Sequence, residues 1–251
     1  METHPWLPGC LILSETGDME KLSAFKEGLF YIQDPAARMA VTAAGLGTGM
    51  RVLDACAAPG GKTFSAALDM KDQGEILSCD VHAHKKKLIE LGAGRLGLAC
   101  VKTSVMDAKK HSKALEGSFD AVIADVPCSG LGVIRKKPEI HYKSEPELAE
   151  LPMIQLAILE NVSAYVKSGG VLLYATCTLL RRENEEVADA FLKGHPEFHP
   201  ESFSLPGPIE EVAEGRITLW PQRCGTDGFF LAKFRKTQES KVSTGGGGKT
   251  A

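Results

Sequence analysis

From about residue 50 onward, short apolar runs alternate with longer stretches of helical pattern, and few folds accommodate that rhythm. The apolar runs are Arg51–Ala55, Glu75–Asp80, Ala99–Ser104, Phe119–Asp125 and Gly170–Cys177. Such runs suit strands buried on both faces. Helical stretches lie between them near 61–72, 82–96 and 145–167. Pro152 inside the third predicts a helix start or a kink. A fourth helix is expected at about 182–193, opened by Glu183, Glu185 and Glu186, which suit the positive end of a helix dipole. Repeated strand–helix–strand units imply a parallel sheet covered on both faces, with right-handed crossovers. After Pro196 the pattern changes. Arg216–Trp220 and Gly228–Phe234 read as two strands joined by a turn-rich link, an antiparallel pair closing one edge. The expected fold is α/β and Rossmann-like: a mostly parallel seven-stranded sheet with an antiparallel edge pair and helices on both faces.

A chain of 251 residues has room for one large domain, or one domain with an appendage. We expect a connector over 1–40 with one strand at Gly9–Leu13, a main domain over 41–236, and a disordered, glycine-rich tail over 237–251. A net charge of −3 excludes a globally basic nucleic-acid binder and leaves room for a local basic face. No apolar run reaches the ~18 residues of a bilayer span, and the start has no basic leader region, so no membrane association is expected. Seven cysteines are scattered without a Cys-x-x-Cys pair, so no metal is expected. Most are read as small buried hydrophobes in a reducing compartment.

The first strand runs through Cys56-Ala57-Ala58-Pro59-Gly60-Gly61-Lys62 into a helix. Gly60 and Gly61 let backbone approach a ligand, and the helix start presents free N–H groups to it. Ligands in open α/β sheets bind at this edge. A phosphate-binding GxxxxGK[ST] loop needs glycine at 56, where Cys56 stands; the tail's Gly-rich stretch fails likewise at Ser243. A dinucleotide GxGxxG is absent as well. Three acids stand at later strand ends: Asp80, Asp107 and Asp125. An acid after the second strand suits a ribose diol, and one after the third suits an adenine amino group. The set fits a nucleoside ligand that needs no phosphates, of which S-adenosyl-L-methionine is one.

Two cysteines sit at strand ends beside this turn: Cys128 after the fourth strand and Cys177 after the fifth. With strand order 3-2-1-4-5 these strands are neighbours, so the two thiols can meet. The segments LDACAAPGGKT, DVPCSGLGVIRKKPEI and YATCT with RRENEE resemble the Sun family of RNA 5-methylcytosine methyltransferases, and within it the RsmB-like enzymes. FYIQDPAA (30–37) resembles the family's leading motif and GTDGFFLAKFRK (225–236) its closing strand, so the likeness runs from about Gly28 to Arg235.

The resemblance implies a class I methyltransferase that uses S-adenosyl-L-methionine and methylates an RNA, rRNA first of all. It implies a cofactor loop at Cys56–Lys62, with Asp80, Asp107 and Asp125 completing the cofactor site and meeting the target base. It implies Cys177 as nucleophile and Cys128 as the group that assists product release. A thiolate adding at C6 would make cytosine C5 nucleophilic. Asp125 and Lys62 are candidates to touch the base. Arg135, Lys136 and Lys137, with Arg181 and Arg182, are candidate phosphate contacts, whereas Lys85, Lys86 and Lys87 read as plain surface. RsmB-like proteins carry a preceding helical RNA-binding domain; residues 1–40 leave space for a connector only, so weak RNA affinity is expected of this chain alone. The chain is expected to be monomeric, in the cytoplasm if bacterial and in the nucleus or nucleolus if eukaryotic. The alternatives are a tRNA or DNA cytosine-C5 methyltransferase, or a non-catalytic RNA-binding protein. A DNA enzyme would use Cys128 as nucleophile and need no Thr176-Cys177. Retention of Cys177 also argues against a non-catalytic role.

Overall fold

The computed structural model describes residues 1–238. The expected tail beyond Gln238 lies outside the described residues. The central sheet is built from β1 (Arg51–Asp54), β2 (Glu75–Asp80), β3 (Val101–Val105), β4 (Phe119–Asp125), β5 (Val166–Thr176), β6 (Phe198–Pro200), β7 (Arg216–Leu219) and β8 (Phe229–Lys236). Its order is β7-β8-β5-β4-β1-β2-β3, with β6 added beside β8. The first five strands are parallel in the expected order 3-2-1-4-5, and β8 runs antiparallel between β5 and β7. The sheet thus has eight strands, one more than the sequence suggests. β7 covers only Phe229–Ala232 of β8, and the free end of β8 pairs with Phe198–Pro200. A three-residue strand ending in proline leaves almost no pattern to read.

Five main helices cover the sheet: α1 (Pro35–Ala44), α2 (Gly61–Asp69), α3 (Ala83–Arg95), α4 (Leu151–Ser163) and α5 (Glu185–Gly194). Strand side chains alternate between two cores, as a period of two dictates. Val52, Ile123 and Leu173 join α1 and α2 on one face, whereas Leu53, Val122 and Leu172 join α4 and α5 on the other. α3 meets α2 through Ile89, Ala93 and Phe64.

Several ends shift from the pattern for identifiable reasons. The third strand starts at Val101 because the Asp72 carboxylate takes the N–H groups of Ala99 and Cys100. The expected 145–167 helix is two pieces, Glu145–Ala149 and α4, with Pro152 in the first turn of α4. α5 starts only after Asn184, whose backbone (φ −113°, ψ −96°) interrupts the helical path from Arg181–Glu183. In the leading segment Leu11–Ile12 pairs with Glu2–Thr3. α1 crosses position 40, and its Ala36, Met39, Ala40 and Ala43 are buried in the sheet's core, at the spacing of one helix face. Asp34 caps it by accepting the Ala36 N–H at 2.8 Å, a contact worth ~1 kcal/mol. Among the described residues no helix is long and apolar enough to cross a membrane.

Candidate active site

The carboxyl ends of the parallel strands open onto one cleft of about 660 Å³. Asp80, Asp107 and Asp125 all line it, as do Cys56, Cys128 and Cys177. Five strand ends separated in sequence therefore meet at one place, as the switch-point rule requires.

One half of the cleft combines carboxylates with apolar walls. Beyond β1 the chain turns through Cys56–Gly60, with Ala57 N–H donating to Cys79 O at 2.8 Å and Gly60 N–H to Ala57 O at 2.7 Å. Gly60 sits at φ +114°, and a Cβ there would lie 2.5 Å from the Phe64 ring, so glycine is required twice over. Asp80 is buried and accepts the His82 N–H at 2.9 Å; Asp107 accepts the Lys109 N–H at 3.0 Å. Val81, Met106, Ala108 and Ile158 supply apolar walls. Carboxylates with apolar walls suit a diol, an amino group and a sulfonium cation, and they repel phosphates. Lys62 is closed to a phosphate as well, because it is buried and donates to Asp125 Oδ2 at 2.6 Å.

Under the turn, Asp54 is fully buried and accepts from Thr63 Oγ1 at 2.8 Å, while its Oδ1 has no partner. Burial, only partly offset by Thr63 and reinforced by the Asp125 charge, pushes this carboxyl up to about 7.

The other half holds the thiols. β4 and β5 are parallel neighbours with Asp125 opposite Ala175, so the loops that follow them run side by side. Cys128 Sγ and Cys177 Sγ are 3.2 Å apart and hydrogen-bonded. That bond holds the Cys177 thiol below its ordinary range; burial and Asp125 oppose the effect, and Lys62 and Lys137 assist it. The same bond, with burial, pushes Cys128 well up. Of the two thiols, Cys177 is thus the one whose ionisation is favoured and Cys128 the one disposed to keep its proton. Lys62 keeps its charge because Asp125 outweighs the cost of burial, and its Nζ also lies 4.8 Å from the Phe229 ring centroid. Burial pushes Cys56 up and takes Cys79 to about 12, which leaves both inert.

The candidate phosphate contacts separate into groups. Lys137 lines the cleft. Arg135 and Lys136 do not; they clasp Asp227 at 2.6 and 2.7 Å, and Lys136 also holds Asp34 at 2.6 Å. Asp34 accepts the Asp227 N–H at 3.2 Å, so the leading and closing segments of the chain are joined here. Arg182 pairs with exposed Glu145 at 2.7 Å, and Arg181 opens the 3₁₀ turn beyond Cys177. Two lining lysines have no signal in the sequence, Lys109 and Lys143, and a third, Lys85, lines the cleft where the sequence suggests plain surface. Tyr142 escaped it too. It is 87% exposed between Ile140 and Lys143, both of which line the cleft. Gln155, Glu183 and Asn184 form a buried polar group behind the thiols. The only sequence signal for it was the Glu-Asn-Glu-Glu run, which read as a helix opening.

Comparison with known proteins agrees with this geometry. The family model described as 16S rRNA methyltransferase RsmB/F matches residues 45–235. The Probable ribosomal RNA small subunit methyltransferase B of Bacillus subtilis (strain 168) is 44% identical over 84% of this chain and 49% of its own length. The ribosomal RNA small subunit methyltransferase F of Escherichia coli O157:H7 is 37% identical over 84% of this chain and 46% of its own. The chain thus spans about half the length of the curated relatives it matches. Among solved structures, NSun6 from Pyrococcus horikoshii with SFG superposes with a TM-score of 0.75 at 28% identity, covering 88% of this chain and 56% of that one. A methyltransferase homologue from the same organism gives 0.74 at 30% identity, covering 88% and 73%.

Proposed function

We propose that this chain, which belongs to the RsmB/F family of 16S rRNA methyltransferases, transfers a methyl group from S-adenosylmethionine to C5 of a cytosine in small-subunit ribosomal RNA. The observation that carries this reading is the pair of thiols 3.2 Å apart, in one acid-lined cleft with the Lys62–Asp125 pair beside them. The setting is the bacterial cytoplasm, by analogy with the bacterial relatives.

Asp80 would take the ribose hydroxyls and Asp107 the adenine amino group, while the Cys56–Lys62 turn and the start of α2 would face the amino-acid end. When bound, S-adenosylmethionine supplies an electrophilic sulfonium methyl group and departs as a neutral thioether. Cytosine C5 is too weak a nucleophile to accept that methyl unaided. The Cys177 thiolate adds to C6, a C6–S bond forms, and the freed C5=C6 pair makes C5 enamine-like. Asp125, held by Lys62, is placed to hydrogen-bond the cytosine edge. After transfer a base takes the C5 proton, the C5=C6 bond re-forms, and the C6–S pair returns to Cys177. The Cys128 thiol, beside that sulfur, stabilises the thiolate before addition and again as it departs.

The target must be unstacked to enter, at a cost of a few kcal/mol, so a loop or single-stranded cytosine is favoured. Lys137 and Lys143 are placed to meet flanking phosphates, with Arg181 and Arg182 beyond Cys177, and Tyr142 offers a stacking face for a neighbouring base. Arg135 and Lys136 stand behind this surface, tied to Asp34 and Asp227. Incubation of small-subunit rRNA with methyl-labelled cofactor, followed by mapping, tests the proposal. Label at C5 of a cytosine is expected; label on another base or atom, or none, would overturn it.

A further inference from the structure

Glu183 and Asn184 are adjacent and fully buried, and the chemistry above uses neither. Their contacts divide between the two cysteine loops. Glu183 Oε2 accepts from the Ser129 N–H at 2.8 Å and from Gln155 Nε2 at 2.8 Å. The same Gln155 nitrogen donates to Pro127 O at 3.1 Å. The residues on either side of Cys128 are therefore held by one Glu–Gln pair. Asn184 does the same for the other thiol: its Oδ1 accepts from Thr176 Oγ1 at 2.6 Å, and its Nδ2 donates to Thr178 O at 3.0 Å. A Ser129–Thr178 hydroxyl contact at 2.6 Å ties the two loops together. Tyr174 anchors the backbone of Glu183, its hydroxyl donating to Glu183 O at 2.5 Å.

This arrangement is costly to build. A buried carboxylate is unfavourable unless it is well bonded, and Glu183 Oε1 has no partner. What it provides is a charge-assisted hold on one backbone N–H next to Cys128.

We infer that Glu183 and Asn184 are positioning residues that fix Cys128 and Cys177, respectively, so that product release depends on Glu183. The inference rests on the two-thiol reading above. Without the Glu183 hold, the Ser129 N–H loses its acceptor and the Pro127–Ser129 loop, left with its contacts to Gln155, Lys143 and Thr178, can shift while Asn184 keeps Cys177 in place. A displacement of ~1 Å at a reacting group can cost ~100-fold in rate. Addition and methyl transfer then proceed, and elimination lags.

The test places Glu183→Ala, Glu183→Gln, Gln155→Ala, Asn184→Ala and Cys128→Ala beside the unaltered chain, with small-subunit rRNA and cofactor. Turnover and the share of protein in an RNA adduct that survives denaturation are both read. Glu183→Ala and Gln155→Ala are expected to lower turnover about 10- to 100-fold and to raise the adduct share, as Cys128→Ala does. Glu183→Gln keeps an acceptor oxygen and is expected to restore release. Asn184→Ala is expected to lower adduct formation itself. Gln155→Ala removes a neutral amide, so it carries the test if Glu183→Ala does not fold. Adduct with Cys128→Ala but none with Gln155→Ala or a folded Glu183→Ala overturns the inference alone. No adduct with Cys128→Ala overturns the reading on which it rests.

Discussion

Lys62 Nζ donates to Asp125 Oδ2 at 2.6 Å, and this pair stands next to Cys177 with its charges matched. The lysine stays charged because of the aspartate, and its charge in turn helps hold the Cys177 thiol down. Replacing it as Lys62→Met should leave Asp125 unpaired and facing the thiol. Breaking a fully buried pair costs ~3–5 kcal/mol, and Asp125 keeps some solvent contact, so a loss of ~2 kcal/mol is expected in denaturant unfolding. The pH dependence of Cys177 alkylation should move upward in the variant. An unmoved profile would separate Lys62 from the thiol.

Asp54 gives a pH signature of its own. Its folded value of about 7 lies above the ordinary 3.8, so the folded state holds a proton that the unfolded state releases. The stabilisation is fully present below pH ~4 and is lost as pH rises through about 7, by at most ~4 kcal/mol. Asp54→Asn keeps an acceptor for Thr63 and should flatten the fall in stability between those limits. Melting temperatures across the window check this, and parallel curves for the two proteins would contradict it.

Asp80 faces the cleft next to apolar Val81, where a ribose diol would lie. Asp80→Ala should weaken S-adenosylmethionine binding by ~1.5–3 kcal/mol, the scale of hydrogen bonds to a charged group. Calorimetry reads this directly, and unchanged affinity would exclude the assignment.

RNA contacts should split by their salt response. With three or four phosphate contacts, the log–log salt slope should be about −2 to −4. Lys137→Ala and Lys143→Ala should each reduce its magnitude by about 1. Arg135→Ala should change the slope less, since its charge is engaged by Asp227. Tyr142→Ala should weaken binding by ~1–3 kcal/mol at constant slope, because stacking carries no counterions. A slope altered by Tyr142→Ala would refute the stacking role.

The five parallel strands and their order were legible because strands buried on both faces leave continuous apolar runs, and the crossover rule then limits topology. That Asp80, Asp107, Asp125, Cys128 and Cys177 meet at one cleft was legible because each stands at or just beyond a strand end. Side-chain partners over long separations were not. Nothing in a linear pattern tells that Arg135 and Lys136 meet Asp34 and Asp227 instead of open solvent. Lys85 was read as surface because it lies on a helix, yet the first turn of α3 brings it to the cleft. Glu183 was read as a helix-opening acid. Its burial depends on Ser129 and Gln155, which only the folded chain brings together.

The account centres on Cys177 as nucleophile and Cys128 as its partner in release. A denaturing gel of each alanine variant with small-subunit rRNA and cofactor tests it most directly. Cys177→Ala should give no adduct and no product; Cys128→Ala should accumulate an adduct that survives denaturation. An adduct with Cys177→Ala and none with Cys128→Ala would reverse the roles and contradict the account.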